Sequence, residues 1–403
     1  MTSRPDQAVV YVQLPALHPG QMEVYHCPAR FIVICAGRRW GKTYLGCVRC
    51  LETALQGGYA WWVAPTYIIS DIGWNLLSRL AGQLPGVRKN ESDRWLRFDS
   101  GGYVRVRTAS EPDYLRGEGL NLVVLDECAI MEEAVWNESL RPALADKQGK
   151  AIFISTPKGQ NWFYRLFVYA QSSKDPEWAA FHFPTDTNPY IPLKEIRQAQ
   201  QDMPAIAFAQ EFGAQFIAEG TNVFPTPQLV SPSEQPVPPF FIGADWAISQ
   251  DFTVFCVLDA EGKLVAMERY QKVSFGDQLD YLYRLCQEYP PASITAERNA
   301  VGERLVEEIY QRGYHVRPIR VDLASKAKLI QSLALALEQG RIRVRPFPDL
   351  LAELASFQVL RISSSGVPVY GAPEGAHDDC VMALAMAYDG LSHSGSLFLW
   401  GER

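Results

Sequence analysis

Residues 31–43 read Phe31-Ile-Val-Ile-Cys35-Ala-Gly-Arg-Arg-Trp40-Gly-Lys-Thr43, and this stretch decides the fold. An apolar, β-prone run leads into a glycine-containing loop that ends in Gly-Lys-Thr and opens a helical stretch at 43–55. The pattern is a P-loop, GxxxxGK[ST], with Ala36 at the first glycine position. Strand before and helix after give the motif its chemistry. Backbone N–H groups of Gly37, Arg38, Arg39 and Gly41 and of the helix N-terminus cradle phosphate oxygens. Lys42 brings charge to the β- and γ-phosphates, and the Thr43 hydroxyl ligates Mg²⁺. Arg38 or Arg39 can offset charge developing on a transferred phosphoryl group; Arg39 reads equally well as a structural arginine.

Outward from the loop, strand patterns at 31–35, 60–64, 103–107, 122–125 and 151–155 alternate with helical stretches, which predicts a parallel sheet covered by helices. The strand at 122–125 ends in Asp126-Glu127. Asp126 is placed to hold Mg²⁺ and Glu127 to polarise an attacking water. With the P-loop about 80 residues upstream, this reads as a RecA-like nucleotide-hydrolysing domain. Gln21, ahead of the P-loop strand, is a candidate reader of the adenine edge, and Ser155-Thr156 a candidate γ-phosphate sensor. A helical stretch is expected at about 193–216, and the proline-rich segment 221–239 reads as a linker. The expected organisation is 1–220 for the P-loop domain, with a helical subdomain at about 190–220, then the linker, then a second domain at 240–403.

That second domain opens with three strand patterns, 241–246, 252–258 and 264–271, the last two joined by the turn 259–262. Helices at 276–288, 302–312 and 325–338 then alternate with strands at 293–297, 315–319 and 341–344, and two more helices follow. This is the order of a ribonuclease H-like domain with a mixed sheet. Asp245 lies in the first strand, Glu297 ends the fourth, and Asp378-Asp379 open the last helix. An acid in so apolar a strand is costly unless paired or bound to metal. In this fold the acids converge, and such a cluster holds two Mg²⁺ or Mn²⁺ ions about 3.5–4 Å apart for phosphodiester cleavage. Singly, Asp378 could be only a helix cap and Glu297 a surface acid. Asp251 and His377 stand near the same elements.

The 403 residues carry a net charge of −7, which excludes a globally basic nucleic-acid coat. Between Arg312 and Arg345, however, eight Lys/Arg face only Asp322 and Glu338. Lys326, Lys328, Arg341 and Arg343 are candidate DNA-backbone contacts there. The eight cysteines sit mostly in apolar runs and read as buried thiols; the lone pair Cys47 and Cys50 lacks a second pair for zinc. Neither a membrane-spanning run nor a signal peptide is read.

A P-loop half joined to a ribonuclease H-like half resembles the large terminase subunit of tailed bacteriophages, over about 18–388. The pieces carrying the likeness are the loop 37–43, Leu115-Arg-Gly117 ahead of Asp126-Glu127, Ser155-Thr-Pro157, and Ala376-His-Asp-Asp379 followed by Met382-Ala-Leu-Ala385. The resemblance implies an ATP-driven motor that moves viral double-stranded DNA into a procapsid, and an endonuclease that cuts concatemers. It implies that Arg38 moves with nucleotide state, that Arg116 acts in trans on a neighbouring subunit, and that Ser155-Thr156 couples hydrolysis to movement. Asp245, Glu297 and the Asp378-Asp379 pair match the nuclease ligands, either member of the pair being able to serve as the main one. The family works as a homo-oligomeric ring, commonly of five subunits, on the portal protein in the host cytoplasm, with a small terminase subunit selecting DNA. A helicase-like or repair ATPase fused to a nuclease is the alternative enzyme, and a DNA-binding assembly protein with decayed sites the non-enzymatic one. The helicase would need a second RecA-like core, which the second half does not suggest.

Overall fold

The computed structural model describes residues 16–115, 117–247, 251–298, 302–363 and 366–394. Apolar runs bounded by turns become an eight-stranded sheet: β1 (Phe31–Ala36), β2 (Tyr59–Ala64), β3 (Val87–Asn90), β4 (Trp95–Phe98), β5 (Tyr103–Thr108), β6 (Leu122–Asp126), β7 (Lys150–Ser155) and β8 (Trp178–Phe183). Their spatial order is β3-β4-β5-β2-β6-β7-β1-β8. The pairings from β5 to β8 are parallel, and β3 and β4 add an antiparallel edge. Every residue of β1 and β6 is buried, as in a parallel sheet covered on both faces. Alternate side chains feed two cores. Ile32, Ile34, Trp62 and Val124 meet Leu45 and Cys50 of the helix Lys42–Leu55; Phe31, Val33, Trp61 and Phe153 pack on the other face. Seven of the eight cysteines are buried and all are free thiols.

The helix expected over 193–216 is two helices, Leu193–Asp202 and Ala205–Glu211. Pro204 lacks an N–H, and its ring pushes Met203 out of helical conformation. Contacts divide the chain into two units, Met1–Arg197 with Ala209–Phe216, and Gln198–Phe208 with Ile217–Arg403.

The second unit holds β9 (Gln228–Leu229), β10 (Phe240–Asp245), β11 (Phe252–Leu258), β12 (Leu264–Gln271), β13 (Ala292–Glu297), β14 (Val316–Ile319), β15 (Arg343–Val344), β16 (Gln358–Ile362) and β17 (Pro368–Gly371). A mixed sheet runs β12-β11-β10-β13-β14. β10 is antiparallel to β11 and parallel to β13, so the first and fourth strands of this sheet are neighbours, as expected. The segment 221–239 packs onto this unit: Val223, Phe224 and Val230 are buried, and β9 pairs with β15. The hairpin of β16 and β17 has no counterpart in the sequence reading. The last helix, Asp379–His393, lies against β10, β11 and β13. Gly243 of β10 permits this approach, because a Cβ there would stand 1.9 Å from the Ala383 carbonyl oxygen. The backbones therefore touch, which sets Asp245 beside the start of the helix.

Candidate functional site

In the first unit the carboxyl ends of β1, β7 and β6 share one edge, with Cys35 opposite Ser155 and Asp126 opposite Ile154. Ligands bind at such edges in open α/β sheets. Ala36 is still a strand residue, which is why the loop accepts alanine where the pattern has glycine. Gly41, at φ +105°, caps the helix Lys42–Leu55 in a conformation glycine favours. Arg39 holds a left-handed φ of 62° within the loop.

Lys42 is only 6% exposed. Its Nζ donates to the Ala36 and Gly37 carbonyls at 2.7 and 2.9 Å and to Thr156 Oγ1 at 3.1 Å. Burial lowers its pKa, against the pull of Glu127 and Asp126. Asp126, 3% exposed, is pushed up to about 8 by burial and by Glu127. Its Oδ1 is buried without a hydrogen-bond partner. Glu127 adopts a left-handed φ of 49°, strain of the kind stored at working sites. The Ser155 hydroxyl lies 3.1 Å from Glu127 Oε2. Lys42, Thr156, Asp126, Glu127 and Ser155 thus form one cluster, and Thr43 follows Lys42 in the first helical turn. A buried, unpartnered carboxylate oxygen beside a P-loop fits the Mg²⁺ that accompanies a nucleoside triphosphate.

Two expected residues lie differently from the simple reading. The Gln21 amide is occupied within the chain: its Oε1 accepts from the His18 N–H at 3.0 Å and its Nε2 donates to the Gly41 carbonyl at 2.9 Å. It braces the loop. Arg38, with an exposed side chain, donates through Nε to Glu211, which also accepts from Lys158 at 2.6 Å. Burial works to raise the Glu211 carboxyl, but Lys158 and Arg38 outweigh it and hold it below the ordinary range. Arg116 lies outside the described residues. Glu211, 173 residues from Arg38, had no signal in the sequence.

The second unit brings its acids together. Asp245 ends β10, Glu297 ends β13, and Asp378 and Asp379 begin the last helix. Burial and the charges of Asp379, Glu297 and Asp378 hold Asp245 well above the usual carboxylate range, with Lys326 opposing. Asp379 is pushed to about 6 by burial and by Glu353, Asp378 and Asp251; its Oδ2 is buried without a hydrogen bond. His377 Nδ1 stands 3.6 Å from that oxygen. Asp378 makes no cap bond to its own helix. Glu353 caps instead: its Oε2 accepts the Cys380 and Val381 N–H groups at 2.8 and 3.2 Å, leaving both aspartates for other work. Among the described residues no three His, Cys, Asp or Glu side chains are grouped as a ready metal shell. The oxygen donors and crowded negative charge fit a hard divalent cation, and the side chains have to draw in around it.

The basic candidates separate. Lys326 points into the acids and binds Asp378 Oδ2 at 2.7 Å. Arg343 pairs with both oxygens of Glu234 at 2.8 Å, and Arg341 lies over the Tyr388 ring. Lys328 is exposed.

Comparison with known proteins agrees with both halves. A family model described as "Terminase large subunit, T4likevirus-type, N-terminal" matches residues 33–231, and one described as "Terminase RNaseH-like domain" matches 242–391. The large terminase subunit of Thermus virus P23-45 is 32% identical, covering 92% of this chain and 87% of that protein. That of Thermus phage G20c is 31% identical with the same coverage. The solved large terminase of the thermophilic bacteriophage D6E shares the fold, with a TM-score of 0.57 at 16% identity, covering 92% of this chain and 98% of that one.

Proposed function

This chain belongs to the large terminase subunit family, the phage proteins of DNA packaging and cleavage, and from that premise we propose how its two sites divide the work. The first unit hydrolyses ATP to move viral double-stranded DNA into a procapsid. The second cuts concatemeric DNA in a divalent-metal-dependent reaction. The observation that carries the reading is the pair of carboxylate sites, each at the carboxyl edge of its own sheet and each with an orphaned buried carboxylate oxygen, Asp126 Oδ1 and Asp379 Oδ2.

At the P-loop, Lys42 turns from the Ala36 and Gly37 carbonyls to the β- and γ-phosphates. Asp126 and Thr43 hold the accompanying Mg²⁺. Glu127, aimed by Ser155, takes the proton of the attacking water. Gly37, Arg38, Arg39 and Gly41 line the phosphates, and Gln21 keeps the loop in shape. Arg38 exchanges Glu211 for phosphate with nucleotide state, Arg116 reaches a neighbouring subunit, and Ser155-Thr156 couple the cycle to DNA movement. At the acid cluster, Asp245, Glu297, Asp378 and Asp379 hold one or two Mg²⁺ or Mn²⁺ ions. These supply a Lewis acid and lower the pKa of water. Lys328 and its basic neighbours meet the DNA backbone. The working form is a ring on the portal protein, supplied with DNA by a small subunit, in the host cytoplasm.

The test is DNA-stimulated phosphate release alongside plasmid cleavage in Mg²⁺, Mn²⁺ or EDTA. Glu127→Ala is expected to lose phosphate release and keep cleavage; Asp245→Asn is expected to do the reverse. Loss of both activities in either variant overturns the two-site reading.

A further inference from the structure

The acid cluster gathers four carboxylates, and one lysine reaches into it. Lys326 sits in the first turn of the helix Leu323–Glu338, where a positive charge opposes the macrodipole. Nothing in that helix needs a cation there: Asp322 and Ser325 already form a reciprocal cap. Ala327, Leu329 and Ile330 are buried and fix the helix beside the cluster. The ammonium binds Asp378 Oδ2 at 2.7 Å, with both side chains about three-quarters buried (28% and 26% exposed). Its charge is also felt by Asp245. Asp378 is free to accept it because Glu353 caps the last helix in its place. A carboxylate crowd with no cation is costly in a partly buried site.

We propose that Lys326 is the cluster's built-in counter-cation: it holds Asp378 in place before a divalent cation arrives and competes with that cation for the carboxylate. The proposal rests on the metal-site reading above. Lys326 is a positioning residue here, acting through Asp378. The site then has two charge-balanced states, one closed by the protein's own ammonium and one closed by metal after the ammonium has let go.

The experiment is calorimetric titration of Mn²⁺ into the full-length chain, with cluster binding defined as the part abolished by Asp245→Asn. Lys326→Met is expected to tighten that binding by about threefold or more at low ionic strength, since a nearby positive charge is removed. In EDTA the same change is expected to lower the melting temperature in the wild-type background but not in Asp378→Asn. Unchanged or weaker Mn²⁺ binding in Lys326→Met, or an equal loss of melting temperature in both backgrounds, overturns the proposal. A lysine serving the DNA backbone alone gives that first result together with weaker DNA binding. If the wild-type chain binds no Mn²⁺ that Asp245→Asn abolishes, the metal-site reading itself fails.

Discussion

The two sites use the same device, acids at the carboxyl ends of strands, and finish it differently. In the first unit the protein supplies almost everything. Lys42 is buried and held by three oxygens, and the Ser155 hydroxyl lies 3.1 Å from Glu127 Oε2. In the second unit the acids are gathered but mutually repelling, with Lys326 as the cation bound to Asp378. The P-loop site comes assembled from hydrogen bonds within the chain. The acid cluster, by contrast, is left short of positive charge among the described residues.

The largest test of that contrast is separability. Lys42→Ala removes the buried side chain that carries charge to the phosphates from the loop floor, and is expected to lower phosphate release about 1,000-fold or more while plasmid cleavage stays within about twofold. Next is Ser155→Ala. If Glu127 is held ready by its neighbour, losing the hydroxyl is expected to lower the maximal ATPase rate about tenfold with little change in nucleotide affinity, which steady-state kinetics reads directly. A purely structural serine would instead shift the melting temperature.

In the second unit, Glu353→Ala leaves two helix N–H groups without their acceptor. The expected cost is about 1–2 kcal/mol, or a melting temperature lower by about 2–6 °C, with weaker Mn²⁺ binding; Glu353→Gln, which keeps an acceptor oxygen, is expected to recover part of both. The smallest effect is in pH. Asp379 and Asp126 titrate near 6 and 8, above the ordinary carboxylate value near 4, so their neutral forms favour the fold. That stability is full below about pH 4 and is lost as pH rises through 6 and 8. Melting in EDTA is therefore expected to drop across that window, and added Mg²⁺ to restore more at pH 8 than at pH 5.5. Equal restoration at both would mean that protons and metal do not compete for these carboxylates.

The central strands and the motif residues were legible because each rests on neighbours in the chain: β1 with its loop, β6 with Asp126, the last helix with Asp378-Asp379. The misses have physical causes. β3 and β4 are four-residue strands carrying charged residues at one side of the sheet, and β8 is a half-buried strand at the other edge. β3 and β4 lack the continuous apolar run of a central strand, and β8, though mostly apolar, follows the polar stretch 171–177 without a helical partner pattern to mark it. The break at Pro204 was written in the chain and overridden by the surrounding helical pattern. Glu211 and Glu353 could not be found, since their partners, Arg38 and the helix from Asp379, are remote in sequence. Lys326 was read by its charge and not its direction, which only the packing of its helix reveals.

The contact at Gly243 has a consequence for variation at that position. With a Cβ placed 1.9 Å from the Ala383 oxygen, alanine is already too large, and no rotamer choice relieves a clash at Cβ. In a saturation library position 243 therefore has an alphabet of one letter, although glycine brings no functional side chain to the site. A library scored for nuclease activity alone would mark it as catalytic; scoring the same library for folding would reassign it to the hinge of backbone on backbone that aims Asp245.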